Sequence, residues 1–299
     1  MGLLQRALAI SIFSLLSTLS YAGPNGKVQE VIPDPNLYKL FQAMYNFQFS
    51  KADSLKAHIS PLNVTANSVA DLYSLWWKGL TYDGFNPHLK QLESKTHSIV
   101  GISNQESPND NGDERFLKAI AGTFGIRVAS IKDEKRTALH IFLKIKPTLN
   151  EILELPRANE EYMLVAGVYN LTAAGIRKNS FVLRPFFIFL PTSNELLGRE
   201  LLLECTKSLS VPIATEAHYF LFKIEREIYS RKAEAMEHIK WLTQSYPNNF
   251  VFAIEYLSLC SEMDNSIEKQ KVSLKKKIIT SNLNQKQKEH FLKELNTVD

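Results

Sequence analysis

Histidine and glutamate side chains are the groups in this chain best able to do chemistry, because they can move protons or hold a metal ion. His218 and His238 lie on two neighbouring predicted helices, and Glu216 lies close to His218 in the sequence. Glu200 and Glu204 share a helix face through their i,i+4 spacing. A metal or acid–base site would require the fold to bring such residues together. The favoured interpretation is that they are solvated charges on amphipathic helices.

Known catalytic and ligand-binding motifs are absent from the sequence. It contains no H-E-x-x-H, C-x-x-C or G-x-S-x-G motif and no glycine-rich phosphate loop. We therefore predict no catalytic residue, no metal site, no cofactor and no enzymatic activity. Cys205 and Cys260 lie on predicted helices separated by a full helical hairpin. A disulfide needs Cα atoms within about 7 Å, so we expect two buried, unbridged cysteines instead.

Adjacent tryptophans at Trp76 and Trp77 are the most conspicuous aromatic pair. Neighbouring residues on a helix point about 100° apart, so the two rings cannot face the same core. Trp76 continues the apolar stripe that contains Leu72, which predicts that Trp76 is buried. Core packing is also the favoured interpretation of Trp77. The alternative is that Trp77 and Tyr73 line a binding groove, since aromatic side chains are favoured anchors at interfaces.

A pair of helices between Thr215 and Pro247 must position several of these residues. The first apolar stripe has the three-to-four spacing of one buried helical face and comprises Ile213, Ala217, Phe220, Leu221, Ile224 and Ile228. The second stripe comprises Ala235, Ile239, Leu242 and Tyr246. Pro247 then ends the second helix, because proline cannot extend it. Two such helices joined by a tight turn form an antiparallel pair.

This pair resembles a tetratricopeptide repeat (TPR), a unit of about 34 residues with spaced aromatic, small and proline positions. With Pro247 on the closing proline, Ala235 falls on the small alanine and Ile239 on the large apolar position four residues later. Tyr219 falls on the first aromatic position and Phe222 on the leucine. Two positions differ from the pattern: Lys223 stands where a small residue is usual, and Arg226 where an aromatic is usual.

Similar stripes recur along residues 36–262, which resemble secreted bacterial TPR-like proteins. The resemblance implies an all-α fold, a right-handed superhelical array of antiparallel helix pairs (an α-solenoid). The composition agrees, because glycine and proline number only 12 each, which disfavours a turn-rich all-β chain and a disordered chain. Gly122 and Gly125 interrupt a predicted helix and predict close contact with another helix. Pro147 predicts a kink or two shorter helices, and Gly175 a helix end.

The N-terminus predicts export. One positive charge within the first six residues precedes an apolar run from Ala7 to Leu19, and Ser20-Tyr21-Ala22 offers small residues for signal peptidase. We expect a cleaved signal peptide at 1–22, then a polar linker at 23–35, and a periplasmic or secreted mature protein. A short membrane anchor is the alternative.

Lysines accumulate at the C-terminus, where 263–299 is predicted to form a basic helical cap or tail. A solvated helix face is the favoured interpretation of this charge. Peripheral contact with an anionic membrane is a further option for the basic segment. No nucleic acid is expected as a partner of an exported protein.

These patterns together predict a non-catalytic protein-interaction module or scaffold in the cell envelope. The resemblance implies that a protein or peptide partner binds the concave surface, which the first helix of each pair lines. The predicted partner-binding residues are Tyr73, Trp77, Glu216, Lys223 and Glu227. The alternative is an enzyme or small-ligand receptor with a pocket near the apolar segment Phe181–Leu190.

Overall fold

A computed structural model describes residues 35–59, 64–102, 112–179, 190–264 and 266–298 of the chain. Within these residues there are thirteen α-helices and no strand, which confirms the all-α prediction. The helices are α1 (Pro35–Tyr45), α2 (Phe49–Lys56), α3 (Val64–Gly79), α4 (Pro87–Ile102), α5 (Gly112–Ile131), α6 (Lys135–Glu154), α7 (Glu160–Asn179), α8 (Glu195–Cys205), α9 (Val211–Glu227), α10 (Lys232–Ser245), α11 (Phe250–Glu262), α12 (Glu268–Thr280) and α13 (Gln285–Asn296).

Each helix packs mainly against its neighbours in sequence, as helix pairs joined by short loops do. The pair predicted between residues 215 and 247 is confirmed as α9 and α10. Ser230 between them adopts a left-handed conformation with φ 56°, and Arg231 N donates to Glu225 O at 2.7 Å. Positive φ at a non-glycine residue turns the chain sharply, so α10 folds back along α9.

The glycines of α5 allow it to approach its neighbours closely, as predicted. A Cβ atom added at Gly122 would lie only 2.4 Å from Ile145 Cγ2 on α6. One added at Gly125 would lie 3.1 Å from Ile141 Cδ1 and 3.2 Å from Thr96 Oγ1 on α4. Both glycines therefore serve helix packing, which offsets their low helix propensity.

Two predictions about helix ends need correction. Gly175 does not end a helix, because α7 continues to Asn179. A Cβ atom at Gly175 would lie 2.5 Å from Ile228 Cγ2, so the glycine permits close packing of the chain after α9. Pro147 lies inside a single helix, α6, so the second of its two predicted outcomes, a division into two shorter helices, is wrong.

The two ends of the described chain meet in one hydrophobic core. Phe47, just after α1, stacks on Phe291 of α13 with ring centroids 5.8 Å apart. Gln287 Nε2 of α13 donates to Thr81 Oγ1 at 2.7 Å, and Asn249 Nδ2 donates to Tyr45 O at 2.9 Å. Units of an open helical array contact only their neighbours. The described part of this chain adds contacts between segments about 200 residues apart in sequence.

Several sequence predictions concern residues outside those described. These are the signal peptide at 1–22, the linker apart from Pro35, and all of the apolar segment at 181–190 except Leu190. None of the described helices has the length and apolar character needed to cross a membrane. Cys205 and Cys260 are both free and buried, which confirms the prediction for the cysteines.

Candidate functional site

Tyr73 and Trp77 lie in the core, which confirms the favoured interpretation of Trp77 and contradicts the alternative of a partner-binding groove lined by these two rings. Their exposed fractions are 0% and 1%. The Trp77 ring meets Tyr45 of α1 edge-on with centroids 5.3 Å apart, and meets Phe252 of α11 at 5.4 Å. The physical reason is that α1 and α11 cover the face of α3 that carries Trp77. Trp76, predicted to be the buried partner, is only partly buried.

Glu216 was predicted on an exposed surface, but it is 1% exposed. Its Oε1 accepts a hydrogen bond from the Tyr45 hydroxyl at 3.0 Å, and its Oε2 lies 3.7 Å from Arg127 Nη2. Burial raises the pKa of Tyr45 well above its usual value, and the negative charge of Glu216 adds to this effect. Tyr45 therefore stays a hydrogen-bond donor. Packing of α1 and α5 over α9 buries this carboxylate.

Lys223 and Glu227 are largely covered and paired rather than freely exposed. Lys223 Nζ contacts Glu227 on its own helix and lies 3.1 Å from Glu255 Oε1 on α11. Arg226 joins the same network, contacts Glu255 and donates to Ser258 Oγ at 2.7 Å. Thus the two residues that differ from the TPR pattern, Lys223 and Arg226, bind α9 to α11 through ion pairs.

The network holds its charges at neutral pH although it is largely buried. Burial alone would lower the pKa of Lys223, but the charges of Glu255 and Glu227 outweigh it and raise that pKa. Burial alone would raise the pKa of Glu255, but Lys223 and Arg226 outweigh it and lower that pKa. These opposite shifts are those of a structural ion-pair network.

The structure brings His218 and His238 together across the α9–α10 pair. Their Nδ1 atoms lie 3.0 Å apart, and His218 stacks on Trp241 with centroids 3.9 Å apart. Burial lowers the pKa of His218 to about 3, with a contribution from His238. Burial also lowers the pKa of His238 to about 4. Both rings are therefore neutral at pH 7, and one Nδ1–H donates to the other Nδ1.

The other acidic pair singled out from the sequence lies elsewhere. Glu200 and Glu204 both pair with Arg157, and Arg157 Nη2 donates to Glu200 Oε1 at 2.7 Å. The three side chains are exposed, in agreement with the prediction of solvated charges on a helix face.

A surface that the sequence did not identify lies around the loop from Leu80 to Asn86, between α3 and α4. Gly84 adopts a left-handed conformation with φ 56°. Asn86 Nδ2 donates to Gly79 O at 2.8 Å, and Asn86 Oδ1 accepts from Leu89 N at 3.3 Å. These contacts hold the chain in place directly after Phe85, which is 41% exposed. The loop therefore presents an aromatic side chain to solvent.

Two open depressions flank this loop and share Pro87. The first, of about 590 Å³, is lined by Phe85, Asn86, Pro87, Lys90, Gln91 and Ser94. The second, of about 520 Å³, is lined by Tyr82, Pro87, His88, Asn284, Gln285 and Lys286. We call the residues that line these two depressions the Phe85 surface. It combines apolar rings with two lysines, Lys90 and Lys286, and no acidic residue lines either depression in the described part of the chain.

A further lysine lies beside this surface. Lys132 Nζ lies 5.0 Å from the centroid of the Phe85 ring, a distance at which a cation is attracted to the ring face. Glu93 accepts a hydrogen bond from Lys132 at 2.7 Å and holds it in place. Lys132, directly after α5, therefore packs against the Phe85 ring.

One sequence signal could have identified the Phe85 surface. The segment Tyr82-Asp83-Gly84-Phe85-Asn86-Pro87 places an aromatic residue among Gly, Asn and Pro, which favour turns. Such a phenylalanine belongs to no helical stripe and is therefore free to be exposed. The second depression could not have been found in this way, because it needs α13, about 200 residues further along the chain.

Comparison of the chain with models of protein families, with curated proteins and with solved structures found no match. The TPR resemblance therefore stays a prediction made from the spacing of residues in α9 and α10.

Proposed function

We propose that this protein is a non-catalytic interaction module or scaffold of the cell envelope, and that its partner docks on the Phe85 surface. The main support for this docking position is the exposed side chain of Phe85 beside two adjoining depressions. Aromatic side chains supply much of the binding energy at protein interfaces when a partner covers them. The docking position differs from the one expected from the sequence, since Tyr73, Trp77 and Glu216 are buried.

The chemistry of the surface favours an extended protein segment with apolar and acidic side chains. Its apolar side chain would cover Phe85 and Pro87, and its carboxylates would pair with Lys90 and Lys286. Both lysines are exposed, so a partner can reach them without rearrangement of the fold. Charge complementarity of this kind contributes mainly to specificity and to the rate of association.

The proposal includes a right-handed superhelical path for the helix pairs, as in TPR proteins. It is supported by packing between successive helices. It is also supported by the complete burial of Phe222, Ala235 and Ile239, which fall on the leucine, alanine and large apolar positions of the repeat pattern. The contacts between α1 and α9, and between Phe47 and Phe291, would close this path upon itself.

Export and membrane contact are also part of the proposal. Export rests on the signal-like pattern of residues 1–22 and predicts a mature N-terminus near Gly23, which mass spectrometry of the protein from cells would detect.

Membrane contact rests on α12, where Lys275 and Lys276 are exposed beside Ile279, which is 51% exposed. Sedimentation with anionic and with neutral vesicles would test it, and equal binding to both would contradict it.

Site-specific crosslinking tests the docking position. A photo-reactive amino acid at position 85 is expected to capture one protein in native cells. The same group at Leu203 on α8, which is 43% exposed and lies outside both proposed surfaces, serves as control. The captured protein is then purified and its affinity measured. We expect Phe85→Ala to weaken binding roughly 30-fold, the scale of an interface hot spot of about 2 kcal/mol. Lys90→Glu should weaken binding more strongly than Phe85→Ala at low salt, because the new carboxylate repels the partner's acidic side chains. Unchanged affinity in both variants would contradict the proposal.

A further inference from the structure

Asp83, His290 and Glu294 place three potential metal ligands together beside the Phe85 surface. Each offers one ligand atom, and the three atoms all lie within 4.8 Å of one another. Asp83 belongs to the loop after α3, whereas His290 and Glu294 are one turn apart on α13. The i,i+4 spacing places an imidazole and a carboxylate on the same face of that helix.

Contacts on both sides hold the loop and the helix in register. Asn284 Nδ2 donates to the Tyr82 hydroxyl at 2.8 Å, and Gln287 Nε2 donates to Thr81 Oγ1 at 2.7 Å. His290 Nδ1 itself lies 2.9 Å from Asp83 Oδ1. The ligand groups are thus positioned before any ion binds, which reduces the entropic cost of assembling a site.

We propose that Asp83, His290 and Glu294 form a binding site for a divalent transition-metal ion, with Zn²⁺ as the preferred ion. Zinc accepts imidazole nitrogen and carboxylate oxygen at about 2.0–2.2 Å in a tetrahedral arrangement, with water in the remaining position. Ligand atoms around such an ion lie roughly 3.4 Å apart. The exposed carboxylates of Asp83 and Glu294 can rotate to close the remaining gap, which is at most about 1.4 Å.

The donor set also decides between ions. A site with one imidazole and two carboxylates suits Zn²⁺ and neighbouring transition metals, whereas Ca²⁺ and Mg²⁺ favour oxygen ligands alone. A bound ion would connect the loop after α3 to α13, between residues 207 positions apart in sequence. This site does not depend on the proposed partner, and sequence spacing could not reveal it.

Lys293 competes with an ion at this position. Its Nζ lies 3.1 Å from Asp83 Oδ2 and partly neutralises that carboxylate. A zinc ion would displace this contact and then be repelled by the ammonium group. Removal of the lysine should therefore tighten zinc binding, although it removes an ion pair from the metal-free protein. A purely structural Asp83–Lys293 contact has no such consequence.

Calorimetric titration of the purified, untagged full chain with ZnCl₂ and with CaCl₂ tests the proposal. We expect one Zn²⁺ per chain, a melting temperature raised by Zn²⁺, and no comparable effect of Ca²⁺. His290→Gln and Glu294→Gln should each weaken zinc binding at least about 100-fold, because even residues that only support metal ligands are worth about 10–100-fold. Lys293→Gln should tighten it several-fold.

The matched control is Glu289→Gln, which removes an exposed carboxylate from the same helix outside the proposed ligand set. It should leave zinc affinity unchanged, and circular dichroism verifies that each variant is folded. The proposal is overturned if zinc does not bind saturably, if Glu289→Gln and Glu294→Gln have equal effects, or if Lys293→Gln weakens binding. Glu294 is exposed, so its variant stays informative if His290→Gln impairs folding.

Discussion

The Tyr45 hydroxyl donates a hydrogen bond of 3.0 Å to Glu216 Oε1, although 171 residues separate the two in sequence. This contact connects the first described helix to α9, and Arg127 of α5 approaches the same carboxylate. A buried charge is tolerated only where it is paired and hydrogen-bonded. The three residues therefore connect three helices that are distant in sequence.

Replacement of Glu216 should destabilise the protein strongly. Glu216→Gln removes the charge that faces Arg127, and breaking a buried ion pair from one side typically costs about 3–5 kcal/mol. Tyr45→Phe should cost less, about 1–2 kcal/mol, because it removes one hydrogen bond and leaves Arg127 beside the carboxylate. Urea unfolding measures both free energies. The control is Glu237→Gln on the exposed side of α10, and equal stability of the two glutamine variants would contradict the assigned role of Glu216.

Alanine at two helical glycines should have opposite effects. Gly122→Ala places a Cβ atom 2.4 Å from Ile145 Cγ2, and the buried isoleucine cannot move away freely. We expect a loss of about 1–3 kcal/mol, as for other overpacked cores. Gly101→Ala meets nothing within 4 Å at an exposed position of α4, and should stabilise the protein by about 0.5–1 kcal/mol. Thermal unfolding compares the two, and a shift of the same sign for both would contradict the close packing of α5 on α6.

Trp77→Ala and Phe85→Ala should separate stability from binding. Trp77 is fully buried among aromatic rings, so its truncation should cost about 3–5 kcal/mol of unfolding free energy. Phe85 is 41% exposed, and its truncation should cost less than about 1 kcal/mol. Denaturant unfolding measures both costs. A small stability loss for Trp77→Ala would contradict the burial of Trp77 and would support the alternative of a groove.

The helices were predictable because their signals are local. Apolar spacing identified α9 and α10, and the glycines of α5 indicated close helix contact. Gly175 misled because a glycine that ends a helix and one that admits a neighbouring side chain look identical in sequence. The difference depends on Ile228, which comes from a distant helix end.

The burial of Trp77 and Glu216 was not predictable from local signals. Helical spacing distinguishes the faces of Trp76 and Trp77, but not which face α1 and α11 cover. Glu216 looked exposed because glutamate is rarely buried, and only its long-range partners Tyr45 and Arg127 permit burial. Contacts between the ends of a chain follow from tertiary packing, for which periodicity carries no information.

The partly buried pair of His218 and His238 should make stability depend on pH. In the unfolded chain, histidine has a pKa of about 6.5. In the folded protein, burial lowers the pKa of His218 to about 3 and that of His238 to about 4. Between these values the unfolded chain binds protons that the folded protein does not. The free energy of unfolding therefore falls as pH decreases from about 6.5 towards 4, by up to about 1.4 kcal/mol per pH unit for each histidine.

Urea unfolding at several pH values would test this expectation. The range from about 7 to about 4.5 starts above the usual histidine pKa of about 6.5 and extends well below it. The double variant His218→Gln, His238→Gln lacks both titrating groups, so its stability should depend less steeply on pH than that of the natural chain, whatever its stability at pH 7. His97→Gln is the matched control, because His97 is exposed and its variant should keep the natural slope. Carboxylates also contribute to the slope in this range, but equally in all three proteins. Parallel curves for the double variant and the natural chain would mean that these imidazoles take up protons in the folded state, contrary to their burial against Trp241.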